Sequence, residues 1–172
     1  QDTFCISIES IQSLITDKTK AVIAVNIFGH PAPLHQLRDI CNEHNIYLIE
    51  DNAQAPLDTE NGRPCGTIGD IGVFSLNYHK HIHCGEGGVC VTDNDDLAFR
   101  MQAVRNHSEN IVQEKQLNPV NMVGFNFRMT EMSAAIGRVQ LEKIDSEVSK
   151  RVKIAEVLSE AVNSLEGLTA PR

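Results

Sequence analysis

The sequence has no apolar run approaching the ~20 residues that a membrane-spanning helix requires. No secretory leader, with a charged start, an apolar middle and a small-residue cleavage site, is visible within these residues. Basic residues are too few to form a stripe: 23 Asp and Glu against 15 Lys and Arg leave a formal net charge of −8. Without cations to neutralise phosphates, nucleic acid is excluded as a partner, and a solvated acidic surface is the plain reading of the balance. Five cysteines occur, with no CxxC pair among them. The odd count and spacing exclude a zinc ribbon and a complete disulfide framework, and point to reduced thiols in a cytoplasmic protein. In such a chain the "NHS" at 106–108 is a chance match to a glycosylation acceptor. An initiator methionine is missing too. The chain opens at Gln1 in "QDTFCISIESIQSLI", which already reads as mid-structure, and stops at "EGLTAPR", where a new element would begin. The expectation is a piece of a longer protein.

What is present is ordinary for a soluble globular chain of 172 residues, with 41% hydrophobic and 22% charged residues. The first half alternates strands and helices. "KAVIAVNIFG" (20–29) is an apolar run with the profile of a strand buried on both faces. "PLHQLRDICNEHN" (33–45) follows, with Leu34, Leu37, Ile40 and Cys41 at helical spacing, Pro33 suited to the first turn and Asn45 suited to a left-handed end. "IYLIEDNA" (46–53) is a second strand, so the unit predicts a parallel sheet with a crossover helix. "IGVFSL" and "GGVCVTD" give two further strands, and 95–107 reads as a helix capped by Asn94 or Asp95. The acidic "TDNDD" lacks the other positions of a calcium loop, so capping accounts for it. The polar segment 108–123 reads as a surface excursion. From Met129 onward Met132, Ile136, Val139, Ile144, Val148 and Val152 recur at helical spacing, with no Gly or Pro between Gly137 and Leu165, and predict one long helix.

Ligands of open α/β sheets bind beyond the carboxyl ends of the strands. Asp51 stands at such an end, and Lys80 follows another strand within "FSLNYHKHIHCGEGG" (74–88). An isolated lysine titrates near ~10.4 and is a poor nucleophile at neutral pH unless desolvation or neighbouring cations release its amine. A lysine placed with a carboxylate is the pair that pyridoxal 5'-phosphate (PLP) needs: the amine forms a Schiff base, and the acid keeps the pyridine nitrogen protonated. Asp51 as a helix cap and Lys80 as a solvated loop residue are the plainer alternatives. A third concerns His79, His81 and His83: on a strand they would share a face and could hold a transition metal, although Cys84 would point away.

The longer string is more specific. "IEDNAQA" (49–55), "GTIGDIGVFS" (66–75), Lys80, "GEGGVCVTD" (85–93) and "GFNFRMTEMSAAIGRVQLEK" (124–143) resemble, in order and spacing, the PLP-dependent nucleotide-sugar aminotransferases of the DegT type, which have the aspartate-aminotransferase fold (fold type I). The resemblance covers nearly the whole chain. It implies an α/β fold: residues 1–128 as part of a large PLP-binding domain with a mostly parallel sheet flanked by helices, and 129–172 as a long interdomain helix leading to a small C-terminal domain. It implies that Asp51 pairs with the pyridine nitrogen, Gln54 contacts the cofactor's ring oxygen, Ser75 hydrogen-bonds the phosphate and Lys80 forms the Schiff base. Asn126 and Arg128 would lie near the cofactor phosphate of a partner subunit in a homodimer. The implied reaction moves an amino group from L-glutamate to a keto sugar linked to a nucleotide.

Two departures stand out: Asn52 replaces a small residue, and "PLDTENGRPCG" replaces a glycine-containing continuation. A dehydratase branch of the same family has histidine in place of the lysine and removes a sugar hydroxyl. Register favours transamination, because the serine and glycine anchors five residues to either side select Lys80 over His79 or His81. A histidine-cluster metal protein and a family member kept as a sensor or scaffold are the other readings.

Overall fold

The computed structural model describes residues 3–108 and 122–171. Helix α1 (Ile8–Leu14) leads to strand β1 (Ala21–Val25), helix α2 (Leu34–Glu43) and strand β2 (Tyr47–Asp51). A short hairpin, β3 (Thr59–Glu60) with β4 (Arg63–Pro64), precedes strands β5 (Ile71–Ser75) and β6 (Gly88–Val91). Helices α3 (Asp95–Arg105), α4 (Glu131–Leu141) and α5 (Ile144–Asn163) complete the described chain. The main sheet has the order β1–β2–β5–β6. β2 pairs parallel with β1 and β5, and β6 closes the edge antiparallel to β5.

The core forms where α2 lies on the sheet. Leu34, Leu37, Ile40 and Cys41 are its buried stripe, as their spacing predicts, and Leu34, Leu37 and Cys41 share one core cluster with Val22, Ala24 and Leu48 of the sheet. Each large aliphatic side chain buried there contributes about 1.5–3 kcal/mol. Asn45 leaves α2 with φ 52, the left-handed exit expected of it, while Pro33 sits just before the helix rather than in its first turn. Asn94 caps α3 by accepting the Leu97 N–H at 3.0 Å.

Two expectations are corrected. β1 is buried on one face only: Val22 and Ala24 are inside, whereas Ile23 is 61% exposed. A continuous apolar run cannot show which faces are covered, because that depends on what packs there. Residues 131–163 form two helices, not one. The chain reorients at Glu142–Lys143, where the Lys143 N–H reaches only back to Gln140 O, and this seats Ile144 as the buried residue of α5. No local breaker marks the point; the packing of Ile144 decides it. Most of the surface excursion expected at 108–123 lies outside the described residues. All five cysteines are free thiols. Among the described residues no helix is long and apolar enough to cross a membrane.

Candidate active site

Alternation along β2 sends Glu50 and Asp51 to opposite faces of the sheet. Glu50 is fully buried, and its carboxylate accepts the N–H groups of Gly66, Ile68 and Gly69. The turn carrying those amides crosses β5 so closely that a Cβ on Gly72 would lie 2.2 Å from Gly66 O, so a larger residue cannot stand there. Asp51 is half-buried at the carboxyl end of the strand. Its Oδ1 accepts the Ala53 N–H at 3.0 Å, and its Oδ2 has no hydrogen-bond partner among the described residues. One carboxylate is consumed by the fold and its neighbour is half free.

Asn52, the departure from the family pattern, has a clear structural role. Its Oδ1 accepts from Asn26 Nδ2 at 2.6 Å and its Nδ2 donates to Glu50 O at 3.2 Å. Asn26 Oδ1 in turn accepts the Ala32 N–H at 2.8 Å. Both side chains are buried, so this network locks the ends of β1 and β2 together next to Asp51 in the chain.

Lys80 is carried on a loop closed at its base. The Leu76 N–H donates to Gly87 O at 2.8 Å, the Cys84 N–H to Leu76 O at 3.0 Å, and Asn77 Nδ2 to Glu86 Oε1 at 2.8 Å. Asn77 also orders the tip, accepting the His79 N–H on Oδ1 and the Lys80 N–H on its carbonyl. His79 therefore sits in a turn, His81 in a bend and His83 in irregular backbone, none of them on a strand, and they do not share a pleated face. Among the described residues no group of three or more His, Cys, Asp or Glu is placed to hold a metal ion.

Two cavities meet at Lys80 and His81. One, of about 350 Å³, is lined by Phe28, Gln54, His79, Lys80 and His81. The other, of about 470 Å³, lies between the sheet and α4–α5; Ser75, Lys80 and His81 reach an apolar wall that includes Phe74, Val91, Leu141 and Ile144. Ser75 accepts the Asn77 N–H at 3.3 Å on its Oγ and keeps its own proton to donate. Burial, then Arg151, then Lys80 hold the His81 imidazole below its ordinary titration range, so it is biased toward the neutral form.

Of the six residues singled out by sequence, Gln54, Ser75 and Lys80 line these cavities, and Asp51 lies immediately before Asn52 and Ala53, which line the larger one. Asn126 and Arg128 are exposed and line neither. Asn126 bridges to Asn106, and Arg128 Nη1 donates to Asn106 Oδ1 at 2.5 Å, at the end of α3. Sequence reasoning missed Phe28, Asn77 and Glu50. Phe28 adopts φ 57 and ψ 20, a left-handed geometry costing about 1–2 kcal/mol for a residue with a Cβ, and gives its N–H to Gln54 Oε1 at 2.9 Å. An Asn two residues after the strand was a readable loop signal; the backbone of Phe28 had none.

Residues 1–172 match the sequence model of the DegT/DnrJ/EryC1/StrS aminotransferase family. A GDP-perosamine synthase of Vibrio cholerae is 40% identical over 152 residues, covering 88% of this chain and 41% of that protein. The X-ray structure of the aminotransferase from Psychrobacter cryohalolentis is similar at a TM-score of 0.90 and 34% identity, over 99% of this chain and 46% of that one. A GDP-4-keto-6-deoxymannose-3-dehydratase with a trapped PLP–glutamate geminal diamine is similar at a TM-score of 0.72 and 34% identity, over 84% of this chain and 41% of that one. The chain spans less than half the length of each.

Proposed function

This chain belongs to the DegT/DnrJ/EryC1/StrS aminotransferase family, and we propose that it supplies Lys80 to a PLP-dependent transaminase that moves an amino group from L-glutamate to a keto sugar linked to a nucleotide. The observation that carries the reading is a lysine on an ordered loop, lining one cavity with Gln54 and another with Ser75, at the sheet edge where Asp51 keeps an oxygen unpaired.

The residues fit the cofactor. Asp51 Oδ2 is available to accept from a protonated pyridine nitrogen, Gln54 Nε2 to donate to the ring oxygen, and the Ser75 hydroxyl to donate to phosphate. Lys80 has no ion-pair partner among the described residues, so its Nζ is available to bind the cofactor's aldehyde carbon. When bound, PLP supplies an electron sink for the carbon that bears the transferred amine. The Lys80 Nζ would take up and return that carbon's proton, as general base and then acid. Burial, Arg151 and Lys80 bias His81 away from its charged form, which limits positive charge beside the amine. Asn126 and Arg128, exposed and lining neither cavity of their own chain, suit the role of reaching a partner's phosphate in a homodimer.

The test uses the full-length enzyme with PLP. Borohydride should trap the cofactor on Lys80, L-glutamate should bleach the visible band, and Lys80→Arg should lower transamination by at least about 10³-fold. Bound cofactor that glutamate leaves yellow, in an enzyme that dehydrates a GDP-linked keto sugar, would assign the dehydratase reaction instead. A colourless protein would overturn both.

A further inference from the structure

We propose that Phe28 is a positioning residue, whose main-chain N–H fixes Gln54 as a hydrogen-bond donor toward the ligand held beside Lys80. The inference rests on the functional reading above and gives a role to the connection between β1 and α2.

A side-chain amide carries one acceptor atom and one donor atom, and a half-turn exchanges them. Which atom faces a ligand decides whether the site favours an anionic oxygen or repels it. A main-chain N–H can only donate, so the Gln54 atom facing Phe28 at 2.9 Å has to be the oxygen. Both Nε2 hydrogens are left without a partner among the described residues, and Gln54 lines the same cavity as Lys80. The site therefore offers two oriented donors next to the amine, suited to an anionic oxygen on the bound molecule.

Phe28 reaches this position at the expense of an unfavourable backbone. Its φ of 57 is followed by φ 80 at Gly29, two consecutive left-handed residues of which only the glycine is at ease. The ring is 76% exposed and lines the cavity, supported edge-on by Phe4 at 6.1 Å between centroids and 82° between planes. Strain kept at the rim of a site is accounted for when the strained group does something there, and handing its N–H to Gln54 is what this one does.

The test again uses the full-length enzyme. Exchange of the Phe28 amide with solvent, followed by ¹⁵N-phenylalanine labelling, should speed up at least about tenfold in Gln54→Met, because an exposed N–H then loses its acceptor. In the PLP-loaded enzyme, Gln54→Met should also raise the midpoint of the pH-dependent colour change by about one unit, since an anionic oxygen deprived of a donor holds a nearby proton more tightly. Replacement of the Phe28 amide by an ester (phenyllactate at position 28), which removes the N–H and leaves both side chains and the φ 57 backbone accessible, should raise it likewise. Phe28→Gly, which keeps the N–H and tolerates the left-handed backbone, should leave it near the wild-type value. An unchanged Phe28 exchange rate in Gln54→Met overturns the proposal, as does an ester-substituted enzyme with an unmoved midpoint. A wild-type enzyme that takes up no PLP overturns the functional reading, and the exchange rates then decide the Phe28–Gln54 link alone.

Discussion

Glu50 and Asp51 are consecutive carboxylates on one strand, and the two faces of the sheet treat them in opposite ways. On the face covered by α2, Glu50 is buried and receives three backbone N–H groups. On the other face Asp51 receives one, from Ala53. The apolar residues divide in the same way: Leu48 is fully buried, while Ile23, on the neighbouring strand, is 61% exposed. A buried carboxylate satisfied by the fold's own amides is structural. The face with spare acceptor capacity and uncovered apolar surface is where a ligand or further protein can bind.

The largest expected effect comes from breaking the satisfied side. Glu50→Ala leaves three N–H groups facing a cavity without acceptors, and the loss of stability should be about 3–5 kcal/mol, measured by urea denaturation. A loss below about 1 kcal/mol would mean that those amides find water and that the carboxylate is not structural. The apolar residues sharpen the same contrast. Leu48→Ala should cost about 2–5 kcal/mol, whereas Ile23→Ala should stay within about 0.5 kcal/mol. Equal losses would show that the exposed face is covered in solution.

That contrast also marks what could be read from sequence. The stripe of α2 was legible because four apolar residues at helical spacing need only one partner layer. Asp51 and Lys80 were legible through strand ends and a register of anchors. The role of Glu50 was not, since two adjacent acids at a strand end look alike until the turn at 66–69 is seen to fold over one of them. The alternating histidines resembled a strand face, but Asn77 and Glu86 close that stretch into a loop. The break between α4 and α5 follows from seating Ile144, and no propensity encodes it. Phe28 was invisible for a related reason: a left-handed phenylalanine is disfavoured by its own chemistry and is held by a contact 26 positions away.

Asp58 is a third carboxylate, and it tests the rule from the opposite direction. Its Oδ2 is buried and has no hydrogen-bond partner among the described residues. Burial raises its pKa above the ordinary aspartate range, with His30 opposing the shift. A carboxyl whose folded value is raised binds its proton more tightly in the native state, so its stabilising contribution is complete below the unfolded value and is lost as pH rises through the folded one. At pH 7 the ionised group therefore works against the fold. Asp58→Asn, which keeps the shape and removes the charge, should raise the urea midpoint at pH 7, and the gain should shrink toward zero as the pH is lowered below the ordinary aspartate range. The effect should be the smallest of the series, because Asp58 is only half-buried and solvent screens much of the penalty. A variant that is less stable than wild type at pH 7, by the same margin at both ends of the range, would show that Asp58 has a compensating partner and that satisfaction by backbone amides is not what separates Glu50 from its neighbours.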